Sequence, residues 1–246
     1  MVVMSGPFES TAHIYDAVYW QLDYGDHATT IEEVIRSRRP DAASVLDVAC
    51  GTGKHIEIFG RSFEYAAGTD IDPGMLAVAA ERLPHADLHE ADFTDFDLGR
   101  RFDAVTCLFS SIGYAATVDD LCSAVASMAR HLEPGGVLVI EPWLQPHLLL
   151  EGNRLFSDVS EVPGTTVMRT SRWLNRETAV DEGVSRLEFA YLVTTEGGSE
   201  MFIEQHVMGL FTPDQYTRSI EAAGLSAEFL EPGTHLGRGL AVGTAT

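Results

Sequence analysis

Between residues 44 and 142, short apolar runs alternate with amphipathic segments. Ser44–Cys50, Tyr65–Thr69, Ala86–Glu90, Phe102–Phe109 and Gly136–Glu141 predict strands, and the intervening pattern predicts helices near 54–61, 74–83 and 117–132. The last helix carries Val118, Leu121, Val125, Met128 and Leu132 at helical spacing and is closed by Glu133-Pro134-Gly135-Gly136. Strands alternating with such helices predict a mostly parallel sheet covered on both faces. The pattern changes after Pro142. Thr165–Leu174, Val184–Thr195 and Glu200–Leu210 are longer runs rich in Val, Thr, Phe and Tyr. Asn175-Arg176-Glu177 and Glu196-Gly197-Gly198-Ser199 read as hairpin connections between them, which predicts an inserted antiparallel sheet. A helix starts at Thr212-Pro213-Asp214 and stops at Gly224, and Ala227–Leu230 with Leu240–Thr244 form a last strand pair that rejoins the first sheet. The region before residue 44 reads as helices capping one edge.

Composition narrows the partners. Sixteen basic against 37 acidic residues give a net charge of −21 over 246 residues. Such a surface repels phosphate backbones and anionic lipid, so neither nucleic acid nor a membrane is expected as a partner. Cys50, Cys107 and Cys122 form no CxxC pair and leave an odd one if two were bonded, the pattern expected of reduced thiols in a cytoplasmic protein. The start Met-Val-Val-Met-Ser-Gly-Pro has no signal-peptide character, and no apolar run approaches the ~20 residues that span a bilayer. The nine histidines are scattered without metal-ligand spacing, so no metal is expected.

The chemistry concentrates at strand ends. Leu46-Asp47-Val48-Ala49-Cys50-Gly51-Thr52-Gly53 ends the first strand in a Gly-rich turn, where backbone passes close to a ligand or merely turns tightly into a helix. Asp70 ends the second strand about 20 residues on, where a carboxylate accepts both hydroxyls of a ribose. Met75 opens the next helix against a purine face. Asp92-Phe93 follows the third strand, the carboxylate placed for an adenine amine and the ring for apolar contact. The ordered set of turn, acid and acid predicts a nucleoside site. Ile56 stands where a dinucleotide fingerprint needs its third glycine, and no Gly-Lys-Ser/Thr is present to make a P-loop.

The pattern resembles the class I S-adenosylmethionine-dependent methyltransferases, whose first motif is an acid (here Asp47) followed by Gly-x-Gly. That resemblance covers residues 44–142. It implies a Rossmann-like, mostly parallel seven-stranded sheet, with the methionine part of the cofactor over Ala49–Gly53 and Leu108-Phe109-Ser110 bordering the sulfonium. Ile14-Tyr15-Asp16, Cys107–Gly113, Glu141-Pro142-Trp143, Gly237-Arg238-Gly239-Leu240 and the three extra strands resemble, over nearly the full chain, the dTDP-3-amino-sugar N,N-dimethyltransferases of macrolide deoxysugar pathways. This implies two successive methyl transfers to a sugar amine. It also implies a methyltransferase domain of residues 1–142 and 211–246 with a helical cap over 1–43. The three-stranded insert after the fifth strand, residues 143–210, would carry substrate and a homodimer face.

By the same resemblance Tyr15 is a lid holding the amine and Tyr24 sits against the cofactor. Tyr114 stands where some relatives have histidine, which weakens an obligate histidine base at that position. A nucleotide sugar brings a diphosphate, so an acidic chain needs local arginines. Arg154, Arg169, Arg172, Arg176, Arg186 and Arg238 are the candidates, with Arg238 and then Arg154 foremost, against the alternative of surface ion pairs. Trp143 either stacks on thymine or sugar or is a core tryptophan. His206 faces either the pocket or the outer side of its sheet, and Ser171 joins the substrate residues. Positioning and desolvation are the expected source of rate. Two other readings stay open: a methyltransferase for another small-molecule amine, hydroxyl or acid, and a non-catalytic binding protein of the same fold.

Overall fold

The computed structural model describes residues 3–5, 11–151, 155–232 and 237–246. In chain order the elements begin with β1 (Val3–Ser5), α1 (Tyr15–Val18), α2 (Tyr24–Arg36), β2 (Ser44–Val48) and α3 (Lys54–Phe59). There follow β3 (Tyr65–Asp70), α4 (Pro73–Arg82), β4 (Asp87–Glu90), β5 (Phe102–Cys107), α5 (Val118–Arg130) and β6 (Leu132–Ile140). The second part has α6 (Pro146–Glu151), β7 (Leu155–Val162), β8 (Thr165–Trp173), α7 (Ala179–Glu182), β9 (Val184–Thr195) and β10 (Gly198–Gly209). The chain closes with α8 (Pro213–Ala222), β11 (Leu225–Leu230) and β12 (Leu240–Ala245).

Seven strands form one sheet in the order β11-β12-β6-β5-β2-β3-β4. Every pairing is parallel except the two made by β12. Side chains alternate between two cores. Leu46, Val48, Val105, Leu138 and Ile140 face α5 and α8, whose Leu121, Val125, Met128 and Ile220 complete that side. Val45, Ala104, Val137 and Val139 face α2 through Ile31, Val34 and Ile35. A strand buried on both faces shows no polar alternation, which is why these strands read as continuous apolar runs. The helix ends are locally specified too: capping boxes at Thr117–Asp120 and Thr212–Gln215 start α5 and α8. Strand order reverses between β2 and β5, and in open parallel sheets ligands bind beside the carboxyl ends at such a point.

The second sheet corrects the expected insert. The three anticipated strands are present as β8, β9 and β10, but the sheet has five, in the order β1-β10-β9-β8-β7. Edge strand β7 was not anticipated because it buries little: Ser160 is its one buried residue. The other edge, β1, comes from the region read as a helical cap and pairs parallel to β10, with Val3 opposite Phe202. The segment that follows stays with this sheet: Ile14 and Val18 pack against Val167, Tyr191, Val193 and Phe202. Of the expected cap, α2 alone covers the large sheet. The connection expected to be a tight hairpin at Asn175-Arg176-Glu177 instead contains α7.

Gly68, in the middle of β3, shows how closely β3 and the β2–α3 turn are packed. A Cβ there would lie 2.3 Å from Ile56 Cδ1 and 2.8 Å from Cys50 Sγ. Gly68→Ala should therefore lower stability by roughly 1–3 kcal/mol, the usual cost of overpacking. Denaturant unfolding tests this, and an unchanged midpoint would mean that the helix yields.

Candidate active site

The turn after β2 is built from unusual backbone. Ala49, Gly51 and Gly53 have φ of 57°, 55° and 77°, the left-handed region in which a side chain is strained. The Gly51 N–H donates to Asp70 Oδ2 at 2.8 Å, and the Asp72 N–H donates to Asp70 Oδ1 at 2.9 Å. Each oxygen thus spends one acceptor site on backbone and keeps another. Burial pushes the pKa of Asp70 up despite these two N–H donors.

A cavity of about 550 Å³ opens beside this turn, walled by Ala49, Gly51, Asp70, Met75, Asp92 and Phe93. All six were anticipated. A Cβ on Gly51 would meet no protein atom within 4 Å, so the glycine leaves backbone bare to the cavity. Asp92 is oriented by accepting from the Thr94 N–H and hydroxyl at 2.8 and 2.7 Å.

Four anticipated cofactor residues lie outside the described lining of this cavity. Gly53 is closed in by protein, because a Cβ there would press on Leu83 and Ala79 at 3.0 and 3.2 Å. Asp47 is buried beneath the turn, accepting from the Thr106 hydroxyl at 2.8 Å, and burial pushes its pKa up to about 7. Tyr24 packs against the His55 ring, with centroids 5.2 Å apart. The Leu108 side chain is in the core with Val137 and Val139, and it is Phe109, Ser110 and Ser111 that reach the wall of the neighbouring cavity.

That second cavity, of about 750 Å³, lies between the two sheets. Alternate positions of β8, β9 and β10 face it, among them Arg169, Ser171, Phe189, Tyr191, His206 and Met208. His206 thus faces inward. Trp143 also lines it, donating its indole N–H to Ser185 Oγ at 3.1 Å, and the Arg238 guanidinium stacks 4.7 Å above its ring. Arg238 donates to the Ser110 hydroxyl, and burial pushes its pKa down. Arg154 lies outside the described residues. Arg172 and Arg186 pair with Glu188 and Glu182. Tyr15, Ser111 and Tyr114 border both cavities, so the two meet at these side chains.

Several residues of this site escaped the sequence reading. Glu141 accepts from the Phe109 N–H at 2.6 Å and holds a loop in which Phe109 and Ser110 have φ of 53° and 65°. The same oxygen is 3.2 Å from His27 Nε2, and His27 Nδ1 is hydrogen-bonded to His55 Nε2 at 2.9 Å. Burial, reinforced by His27, pushes the pKa of His55 down to about 3 and keeps that ring neutral. Asp16 accepts from the Thr52 hydroxyl at 2.7 Å and pairs with Arg82 and Lys54, pinning α1 and its Tyr15 to the cofactor turn. Asp16 and Glu141 stood in quoted motifs, yet nothing local marked them as joints.

Comparison with known proteins agrees with this architecture. The family model of the methyltransferase domain matches residues 45–136. The chain is 44% identical over 236 residues to the dTDP-3-amino-3,4,6-trideoxy-α-D-glucopyranose N,N-dimethyltransferase of Streptomyces venezuelae, covering 94% of this chain and 96% of the relative. It is 40% identical to the dTDP-4-amino-2,3,4,6-tetradeoxy-D-glucose N,N-dimethyltransferase of Saccharopolyspora spinosa, covering 94% and 91%. The solved structure of S-adenosylmethionine-bound CalS10, an amino pentose methyltransferase from Micromonospora echinaspora, superposes with a TM-score of 0.81 at 39% identity, covering 95% and 97%. The chain belongs to the class I S-adenosylmethionine-dependent methyltransferases, in the family of sugar N,N-dimethyltransferases that these relatives represent. S-adenosylmethionine is its cofactor. The bare Gly51 backbone, the remaining acceptor sites of Asp70 and the apolar walls at Met75 and Phe93 fit such a nucleoside.

Asp70→Asn should weaken S-adenosylhomocysteine binding about tenfold to a hundredfold, as expected for loss of a charged acceptor, with calorimetry as the test. An unchanged affinity would remove Asp70 from the site. Asp47 carries a pH signature of opposite sign from most carboxylates. Between about 3.8 and 7 the folded, ligand-free protein holds a proton there that the unfolded chain has released. Its contribution to stability therefore declines as pH rises through that window. Melting temperatures at pH 5 and pH 8 should differ less in Asp47→Asn than in the unchanged protein, and parallel curves would place the proton elsewhere.

Proposed function

We propose that this enzyme transfers two methyl groups in succession to the amino group of a thymidine-diphosphate amino sugar. What supports the reading most is the pairing of an arginine-bearing cavity with a nucleoside cavity that share Tyr15 and Tyr114. In a chain of net charge −21, Arg238 is kept on the larger cavity by the Trp143 face and a neutral hydroxyl. Arg169 is buried among Tyr19, Phe156 and Phe189 and already engages Asp158 at 2.9 and 3.0 Å. Arg238 is thus the better diphosphate anchor, since a guanidinium suits bidentate phosphate contact. Trp143, beside Arg238, and Ser171 line the same cavity and would contact the base or sugar.

In this reading the N-terminal segment and the five-stranded sheet form the substrate half and the seven-stranded sheet the cofactor half. When bound, S-adenosylmethionine supplies an electrophilic methyl group. The protein's own part is to hold the amine at Tyr15 and Tyr114 and to keep water away, so that orientation and desolvation carry much of the rate. Relatives act on 3-amino and 4-amino sugars, so both are probes. Mass spectrometry after incubation with S-adenosylmethionine should show first one and then two added methyl groups on at least one of them. Arg238→Ala should raise KM for that sugar about tenfold or more, with cofactor affinity retained. Bound cofactor with no methyl transfer to either sugar would overturn the proposal.

A further inference from the structure

The amine must be free of its extra proton to act as a nucleophile, yet an alkylamine near neutral pH is mostly ammonium, its pKa being about 10 in the lysine side chain. An amine that binds as ammonium must therefore lose that proton in the cavity. Around Tyr114 the structure holds a connected set of groups able to take it. Tyr114 ends the 3-10 turn Ser111–Tyr114 after β5 and borders both cavities. Its hydroxyl lies 2.5 Å from His206 Nδ1. His206 Nε2 lies 3.5 Å from Glu204 Oε2, two residues back on the same face of β10. Glu204 is fully buried and is held by the Thr11 hydroxyl, 3.0 and 3.1 Å from its two oxygens. The Phe189 ring meets the imidazole edge-on at 4.9 Å and limits its rotation.

We propose that Glu204, His206 and Tyr114 form a proton relay for the amine, with Glu204 as its positioning residue; this rests on the amino-sugar reading above. A carboxylate facing Nε2 selects the neutral tautomer that carries its hydrogen there, as in other carboxylate–imidazole pairs. Nδ1 then accepts the Tyr114 O–H, and the tyrosine oxygen presents its lone pairs to the cavity junction. The ammonium N–H bond breaks with its electron pair remaining on nitrogen. Its proton goes to the Tyr114 oxygen as the tyrosine's own proton passes to Nδ1. His206 becomes imidazolium beside the Glu204 carboxylate, and Tyr114 is neutral before and after. Burial pushes the pKa of Tyr114 well up, so tyrosine passes protons through and does not hold a phenolate. The proton returns to water from His206 when product leaves, and the relay is reset for the second transfer.

The other titratable and charged groups in this field are Tyr15 on α1, Tyr19 after α1, Tyr191 on β9, Arg169 on β8 and Asp70 at the end of β3. Removing the Glu204 charge leaves these unchanged and takes away the anion beside the imidazolium that the relay forms. In Glu204→Gln the acidic limb of the kcat profile should accordingly move to lower pH. Its maximum should fall about tenfold or more, with KM for the sugar nearly unchanged. Tyr114→Phe should lower kcat similarly, and the double variant should lose little more, because groups acting as a unit are not additive. A limb that stays in place, or losses that add, would overturn the relay. The tautomer is tested without turnover: nitrogen-15 histidine spectra of the unaltered enzyme with S-adenosylhomocysteine, His206 being assigned through His206→Asn. A hydrogen on Nε2 with Nδ1 accepting is expected; a hydrogen on Nδ1 overturns the relay even if Glu204→Gln does not fold. Failure to methylate any amino sugar, with the expected tautomer, overturns the substrate reading and leaves the Glu204–His206–Tyr114 arrangement standing.

Discussion

One carboxylate joins the two halves of this molecule. Asp16 accepts from Thr52 in the cofactor turn and pairs with Lys54 and with Arg82 of the following helix. Its neighbours Ile14 and Val18 are buried in the core of the five-stranded sheet. The short helix between those anchors carries Tyr15, one of the residues that both cavities share. This tie helps to keep that tyrosine over the turn. Arginine suits such a joint, since its donor fork bridges a carboxylate and the Thr52 carbonyl together.

The site is also an exercise in keeping charge where the chain as a whole disfavours it. A strongly acidic protein stabilises cations broadly, but a phosphate ligand needs the reverse field at one place. Under the proposed function an aromatic face supplies that place, Trp143 under Arg238; Arg169, among Tyr19, Phe156 and Phe189, is already paired with Asp158. A ring attracts a guanidinium without neutralising it, so the positive charge remains available to a ligand. Glu141 works in the opposite sense, accepting from Phe109 and so holding a strained loop in its conformation.

The seven-stranded half was largely legible in the sequence, because strands buried on both faces are apolar throughout and their ends carry Gly51, Asp70 and Asp92. Strands β7 and β1 were not, since edge strands bury few side chains and leave a weak pattern. Gly53 is also required by the packing of Leu83 and Ala79, a contact invisible in local spacing. Leu108 was expected on the wall, yet it is the following residues that turn out of the core. His206 was legible as a side chain alternating along a strand, whereas its partner Glu204 was not. A buried acid acquires meaning only from what folds against it, here a threonine from the start of the chain. Asp16 and Glu141 were hidden for the same reason.

The contact between Thr11 and Glu204 spans 193 positions. Long separations are closed late in folding, because the loop entropy must be met before the contact repays it. The seven-stranded sheet is assembled largely from near neighbours along the chain, and a ribosome delivers five of its seven strands before β9 and β10 emerge. The opening residues must therefore wait, undocked, until the strands that receive them have been synthesised. The contact is thus a stitch that ties the segment before α1 to a strand made after most of the seven-stranded sheet.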